Sequence, residues 1–436
     1  MRLPIRESYR YAIACPTSLG VRITPEDRMA VHNSSRFYMQ ATSAETNVLN
    51  IASSLGRECL ALTKFVKGSP IAAFIQAQLR ARNIRYEGIE VDQGGPWGYR
   101  HQFNIADSGF GLRAPRVWND RAGEVGRTLS IDEFDIPRIF GQEGVAILHI
   151  SGLIAAMSPE TTQCCLELAR AAKRYGTLVS FDLNYRATFW KGREEELREA
   201  FHQIASAADV LVGNEEDFQL CLGFTGPEAG GRDLAGKIDS FKAMIQQVKG
   251  KYGNAQVFAT TLRQVVSANE HLWGAIMLAD DQWYVEEPRP IPVMDRIGGG
   301  DGFTGGLLYG VLNGWPAEKC LQFGWASGVL AASSLTAYAE PPSLNRIEDN
   351  GAKIGVIAAG TPYQYVKEAM GDTVNYLKLG LVWPLPEQLI RDFAAKCEKV
   401  YVVEELDDFI ETHCKALGVE VTGKDLFPRC GEFSQK

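Results

Sequence analysis

Asp295-Arg296-Ile297-Gly298-Gly299-Gly300-Asp301-Gly302-Phe303, DRIGGGDGF, follows the apolar run Ile291 to Met294 and leads into the helix-like stretch FTGGLLYGVLNG, residues 303–314. Three successive glycines at a strand-to-helix junction let the backbone N–H groups of Gly298, Gly299, Gly300 and Asp301 converge at the positive end of a helix dipole. Such a junction can hold an anion. An aspartate at its edge stands beside a bound phosphoryl group, where it can take the proton of an attacking hydroxyl, a contribution on the order of 100 to 10,000-fold in rate. The bland alternative is a glycine-rich turn in which Asp301 is an ordinary helix cap.

Upstream, short runs rich in Val, Ile and Leu alternate with amphipathic stretches: VAILHISG (145–152), CCLELARAAKRYG (164–176), TLVSFDLN (177–184), EEELREAFHQIASAA (194–208) and DVLVGN (209–214). Strand, helix and strand in this order predict right-handed crossovers and a largely parallel sheet covered on both faces. The fold class is therefore α/β, with its ligand expected at the carboxyl ends of the strands. Segments 33–47 and 96–121 alternate polar and aromatic residues, as in SRFYMQAT, WGYRHQFN and PRVWND, and read as half-exposed antiparallel strands of a small lid spanning about 15–47 and 96–121. A stretch rich in Pro, Asn, Gly and charge marks a linker at 341–352, separating a first domain at 1–340 from a second α/β unit at 353–436. In that unit Leu389, Ile390, Phe393, Ala394 and Cys397 fall on one helical face.

The chain has 436 residues, 45% hydrophobic and 22% charged, with a formal charge of −8. That is enough for one large core or two unequal ones, and it leaves no cationic excess for nucleic acid or a membrane surface. A small-molecule substrate fits better. No apolar run reaches the roughly 18 residues of a membrane span, and MRLPIRESYRYAIAC lacks the pattern of a signal peptide, so a cytoplasmic protein is expected. The nine cysteines form no Cys-x-x-Cys pair and read as buried reduced thiols.

DRIGGGDGF resembles the signature of the ribokinase-like (PfkB) carbohydrate kinases, Asp-Thr-x-Gly-Ala-Gly-Asp followed by an aromatic, at Asp295, Gly298, Gly300, Asp301 and Phe303. The resemblance covers about residues 10–340 and implies a central sheet sandwiched by helices, with a β lid that in this family often clasps a second copy in a homodimer. It implies ATP as phosphoryl donor, a Mg²⁺ ion and Asp301 as catalytic base. Gly213-Asn214-Glu215-Glu216-Asp217 stands where the family carries Asn-x-x-Glu, whose acidic end organises the metal through water. The last position here is Asp, so either Asp217 or Glu216 is the expected metal carboxylate. Asn184, Asn214, Thr261 and Asp295 fall to the nucleotide by the same resemblance.

Asp182, Asn184 and Arg186 follow a predicted strand and resemble the Asp-x-Asn-x-Arg segment of 2-keto-3-deoxygluconate kinases, in which the arginine meets the sugar acid's carboxylate. An arginine fork matches a carboxylate bidentately and stays charged. Arg121 and Arg100 are further substrate candidates, and Asn47 matches the asparagine that contacts sugar hydroxyls. Three features depart from the family: Thr42-Ser43 replaces a Gly-Gly hinge, Cys15-Pro16-Thr17-Ser18 lacks the usual acidic residue after the first strand, and Arg263 replaces the glycine of Thr-x-Gly. The expected activity is ATP-dependent phosphorylation of a primary hydroxyl on a sugar or sugar acid such as 2-keto-3-deoxygluconate; the departures leave open a non-catalytic sugar- or nucleotide-binding regulator.

Residues from about 353 to 430 are similar to part of the α-subunit of indolepyruvate:ferredoxin oxidoreductase, through the words GVIAAGTPYQYVKEAM, LKLGLVWPLPEQLIRDF, VYVVEELDDFIE and GKDLFPRCGEFS. That resemblance implies a transketolase-C-terminal-like fold used as a packing or oligomerisation module, or as a dock for an oxidoreductase. No four-cysteine iron–sulfur spacing occurs, so neither electron transfer nor thiamine chemistry is expected.

Overall fold

The computed structural model describes residues 3–226, 234–334, 345–380, 382 and 385–430, and the chain divides after Ala339 into two compact units. Thirteen strands in chain order build the described part of the first: β1 Tyr11–Pro16, β2 Gly20–Pro25, β3 Phe37–Thr42, β4 Cys59–Val66, β5 Ile84–Val91, β6 Phe103–Asp107, β7 Arg116–Asp120, β8 Val145–Ser151, β9 Leu178–Asp182, β10 Val210–Val212, β11 Val257–Val265, β12 Glu270–Ala279 and β13 Gln282–Pro292.

Nine of them form one sheet in the order β13-β12-β11-β10-β9-β8-β1-β4-β5. From β5 to β11 every pairing is parallel, and β12 and β13 close that edge as an antiparallel meander. Continuous apolar runs suit strands covered on both faces, and every residue of β1, β4 and β8 is buried. Alternate residues supply opposite layers. Leu148 and Ile150 join Leu168, Phe181 and Phe201 on one side, while Ile147 joins Ile13, Leu307 and Val311 on the other. The predicted helices form between the strands, and the first of them, Pro159–Arg174, starts on a side-chain cap: Ser158, before Pro159, makes a reciprocal capping box with Thr161.

The lid is a separate four-stranded sheet in the order β3-β2-β6-β7. It differs from expectation in one respect: β2 pairs with β6 in parallel, because the two strands leave the main sheet on separate excursions, and only the outer pairs are antiparallel. Residues 44–47, read as lid, instead begin the helix Ala44–Ser54, capped by Ser43, whose Oγ accepts from Thr46 N at 3.0 Å.

In the second unit β14 Asn345–Glu348, β15 Ile354–Ala359, β16 Asn375–Leu379 and β17 Lys399–Val403 form a sheet in the order β14-β16-β15-β17, parallel except for β14 against β16. Ile390 and Phe393 are buried in its core with Leu389, Ala394 and Cys397 packed against them. The segment read as a linker thus contains strand β14, whose Ile347 packs on this core; polar composition hid a strand with one apolar side. Residues 341–344 of that predicted linker, and Gly431 to Ser434 of the last matching word, lie outside the described residues. The nine cysteines are free thiols, seven of them buried. Among the described residues no helix is long and apolar enough to cross a membrane.

Candidate active site

A cleft of about 1260 Å³ lies at the carboxyl ends of β9, β10 and β11, with lid residues such as Thr42 and Trp118 on its other wall. The glycine loop forms part of its floor, and its three glycines are needed for three different reasons. Gly298, the cap of the helix Gly299–Leu312, has a φ of +85°, in the left-handed region that side chains rarely adopt. A Cβ on Gly299 would collide with the Trp273 ring. At Gly300 a Cβ would meet nothing, because that residue borders the cleft itself, and a side chain there would occupy ligand space.

Asp301 sits in the first turn of this helix and lines the cleft. Its Oδ2 accepts a 2.8 Å hydrogen bond from Nδ2 of Asn47, on the helix Ala44–Ser54. Burial raises the Asp301 carboxyl to about 7; the Asn47 bond and the Arg186 charge pull it down, while Glu45 pushes it up. A carboxylate poised near neutrality is well matched to general-base work.

Glu45 went unnoticed in the sequence. It is fully buried, and its oxygens accept from Thr17 Oγ1 at 2.8 Å and Ser151 Oγ at 2.5 Å, so it ties the helix carrying Asn47 to the ends of β1 and β8. Burial raises its pKa. The Thr42-Ser43 departure belongs to the same network: Ser43 caps the helix and its Oγ lies within hydrogen-bonding distance of Thr17 Oγ1, at 2.7 Å, which replaces a flexible glycine hinge with a bonded corner. The only clue in the sequence was an acidic residue beside Asn47 in a segment whose first strand ends without one.

At the end of β9, Asp182, Asn184 and Arg186 all line the cleft. Asn184 takes a positive φ of 34°, which turns the chain so that Arg186 emerges exposed, its Nη1 donating to the Tyr185 carbonyl at 2.7 Å. The Asp182 pKa is raised well above the usual carboxylate range, first by burial and then by the neighbouring Asp217 and Asp301. Asn214 and Thr261 border the same space.

The two metal candidates separate. Asp217 is buried, with Oδ1 accepting from Tyr185 N and Oδ2 from Asn214 N, each at 2.9 Å, so it closes a capping box at the helix Glu215–Leu222. Burial raises it to about 6. Both candidates line the cleft, but Glu216 is exposed there. Because Mg²⁺ keeps most of its waters and takes few protein carboxylates, the exposed Glu216 suits such an ion and Asp217 suits the scaffold.

Three other candidates are placed differently from one another. Arg121 lines the cleft, where its Nη1 donates to both Glu124 oxygens at 2.8 and 2.9 Å and its guanidinium lies 5.4 Å from the Phe189 ring centre. Arg100 lies outside the cleft lining; it pairs with Asp120, and its Nε donates to the Ala122 carbonyl at 2.6 Å, which pins the loop after β7. Asp295 is fully buried rather than exposed to the cleft. Its Oδ1 accepts from Ile297 N at 3.0 Å, bracing the glycine loop, and its Oδ2 pairs with Arg22 of β2.

A glycine-lined helix end, a carboxyl poised near neutrality and arginines around the same cleft together fit transfer of a phosphoryl group. The family model for pfkB family carbohydrate kinases matches residues 127–343. A 5-dehydro-2-deoxygluconokinase of Geobacillus kaustophilus is 27% identical over 315 residues, 67% of this chain and 86% of the relative. Another, of Clostridium perfringens, is 26% identical over 230 residues, 52% of this chain and 61% of the relative, so the match spans under two thirds of that protein's length. The crystal structure of 2-dehydro-3-deoxygluconokinase from Thermotoga maritima superposes with a TM-score of 0.68 at 25% identity, covering 76% of this chain and 96% of that one. Over residues 127–343 the chain is thus similar to the pfkB carbohydrate kinases, and its first unit has the fold of the deoxygluconokinase structure named above.

Proposed function

We propose that this protein transfers the terminal phosphoryl group of ATP to a primary hydroxyl of a sugar acid of the 2-keto-3-deoxygluconate type. The observation that carries the reading is Asp301, poised at about 7 at the mouth of a glycine-lined helix end and oriented by Asn47. Ionised Asp301 would take the acceptor's hydroxyl proton as the oxygen attacks, while the N–H groups at Gly298 to Asp301 stabilise charge on the phosphoryl oxygens. Arg186, exposed at the cleft, and Arg121 beside Phe189 supply forks for a carboxylate. The relatives named above, kinases of keto-deoxy sugars and sugar acids, support that acceptor class. Asn184, Asn214 and Thr261 would face the nucleotide. Asp295 acts one step back, through Ile297.

Glu216 would hold Mg²⁺, which neutralises phosphate charge when bound. Phe37 and Met39 on β3 and Trp118 on β7 are exposed on one face of the lid, an apolar surface that supports pairing with a second copy of the chain. For the second unit, the similarity to the oxidoreductase α-subunit supports an accessory packing role. The test is ADP release and phosphorylated-product mass across a panel of keto-deoxy acids, aldonic acids and neutral sugars. Turnover of the acids but not of their neutral analogues is expected; turnover of neutral sugars alone overturns the carboxylate role of the arginines.

A further inference from the structure

The buried ion pair between Arg22 and Asp295 joins residues 273 positions apart, one on the central lid strand β2 and the other at the start of the glycine loop. Only one edge of the Arg22 guanidinium is used. Nη2 meets Asp295, whereas Nε and Nη1 are buried without a hydrogen-bond partner among the described residues, although Arg22 lines the cleft and is only 1% exposed. A charged donor removed from water and left unpaired is costly, and proteins rarely keep one without a ligand to fill it. A second orphan donor borders the same loop: Nε1 of Trp273, whose ring packs against Gly299 and which also lines the cleft. Both groups only donate, so what they await is an acceptor, and their place beside the glycine loop puts that acceptor at the phosphoryl end of the cleft, away from the Arg121–Phe189 wall.

We infer that Arg22 is a phosphate-binding residue of this site, whose Nε and Nη1 engage an oxygen of the terminal phosphoryl group of the nucleotide while Nη2 stays on Asp295. This deepens the kinase reading and rests on it. The arrangement makes the lid itself a reader of the phosphoryl group: β2 carries the guanidinium, Asp295 holds it against the loop, and Asp295 also fixes Ile297 N at 3.0 Å. An arginine fork matches phosphate oxygens and carries its charge at all working pH values.

Removing Arg22 alone would strand a buried carboxylate, so the test uses R22M/D295N, in which the amide oxygen introduced at position 295 still accepts from Ile297 N, together with R22K, which keeps the charge and loses the fork. Binding of a non-hydrolysable ATP analogue, of ADP and of a keto-deoxy acid is measured by calorimetry on the full chain, with a thermal melt to show that each variant folds. Loss of a charged hydrogen-bond pair predicts a weakening of analogue binding by roughly 10- to 100-fold, with ADP and acid affinities within about two-fold of wild type and partial recovery in R22K. A selective loss of acid binding would assign the fork to the acceptor's carboxylate and overturn the inference, as would a folded double variant that binds all three ligands like wild type. If wild type binds the analogue but turns over no acceptor, the kinase reading fails while the Arg22 comparison remains readable.

Discussion

Replacing Asn47 with leucine, of similar size but without a donor, removes the 2.8 Å bond to Asp301 and leaves the helix end intact. A hydrogen bond to a charged group contributes about 1.5 to 3 kcal/mol. At 1.36 kcal/mol per pKa unit that moves the Asp301 carboxyl up by roughly one to two units, from about 7 to roughly 8 or 9. The base must be ionised to accept a proton, so activity rises with pH through this pKa. At pH 7 the ionised fraction falls from about one half to between roughly a tenth and a hundredth, a loss in kcat/KM of about 5- to 50-fold that shrinks to about two-fold or less by pH 9. The assay is coupled ADP release between pH 5.5 and 9.5, with the acid limb fitted for wild type and variant. A limb that stays near 7 while only the plateau drops would mean that Asn47 contacts the acceptor without tuning Asp301, and the electrostatic account of the base would be wrong.

Other perturbations separate scaffold from chemistry. Asp301→Asn removes a carboxyl whose folded pKa of about 7 lies above the unfolded value near 3.9, so the folded wild type resists ionisation and loses stability as pH climbs between them; the variant's melting-temperature gain is expected to be small at pH 5 and largest at pH 8, with an upper bound on the order of 4 kcal/mol. No pH dependence in that gain would contradict the burial of the charge. Gly299→Ala, which drives a methyl group into the Trp273 ring, is expected to cost about 1 to 3 kcal/mol of stability by denaturant unfolding, whereas Gly300→Ala, with open space around it, leaves stability unchanged and weakens nucleotide binding in calorimetry. Glu216→Gln is expected to raise the Mg²⁺ concentration needed for half-maximal rate at unchanged melting temperature; Asp217→Asn, which loses one backbone acceptor, is expected to lower the melting temperature.

The sequence carried the parallel sheet through VAILHISG, TLVSFDLN and DVLVGN, the apolar runs that hold β8, β9 and β10, a pattern that burial on both faces explains. It carried the glycine loop for a similar reason, since three adjacent glycines have few uses at a helix start. What it hid depends on contacts far apart in the chain. Arg22 reads as a surface charge on a lid strand until β2 is laid against residue 295, and Glu45 reads as a helix-start acid until Ser151, 106 positions away, closes over it. Strand β14 was masked by its polar, proline-rich approach. The proposal of Glu216 rather than Asp217 as the metal carboxylate rests on which of the two the helix cap consumes, and the hydrogen bonds from Tyr185 N and Asn214 N to Asp217 are visible only in the fold.

Phosphoryl transfer by a base at Asp301 is tested most directly in a single turnover of ATP with a saturating keto-deoxy acid, comparing wild type with Asp301→Asn at pH 8. The wild type is expected to yield phosphorylated acid and ADP in equal amounts, and the variant, binding both substrates, to be slower by about 100- to 10,000-fold. Equal rates in the two proteins would contradict the assignment of Asp301 as the base.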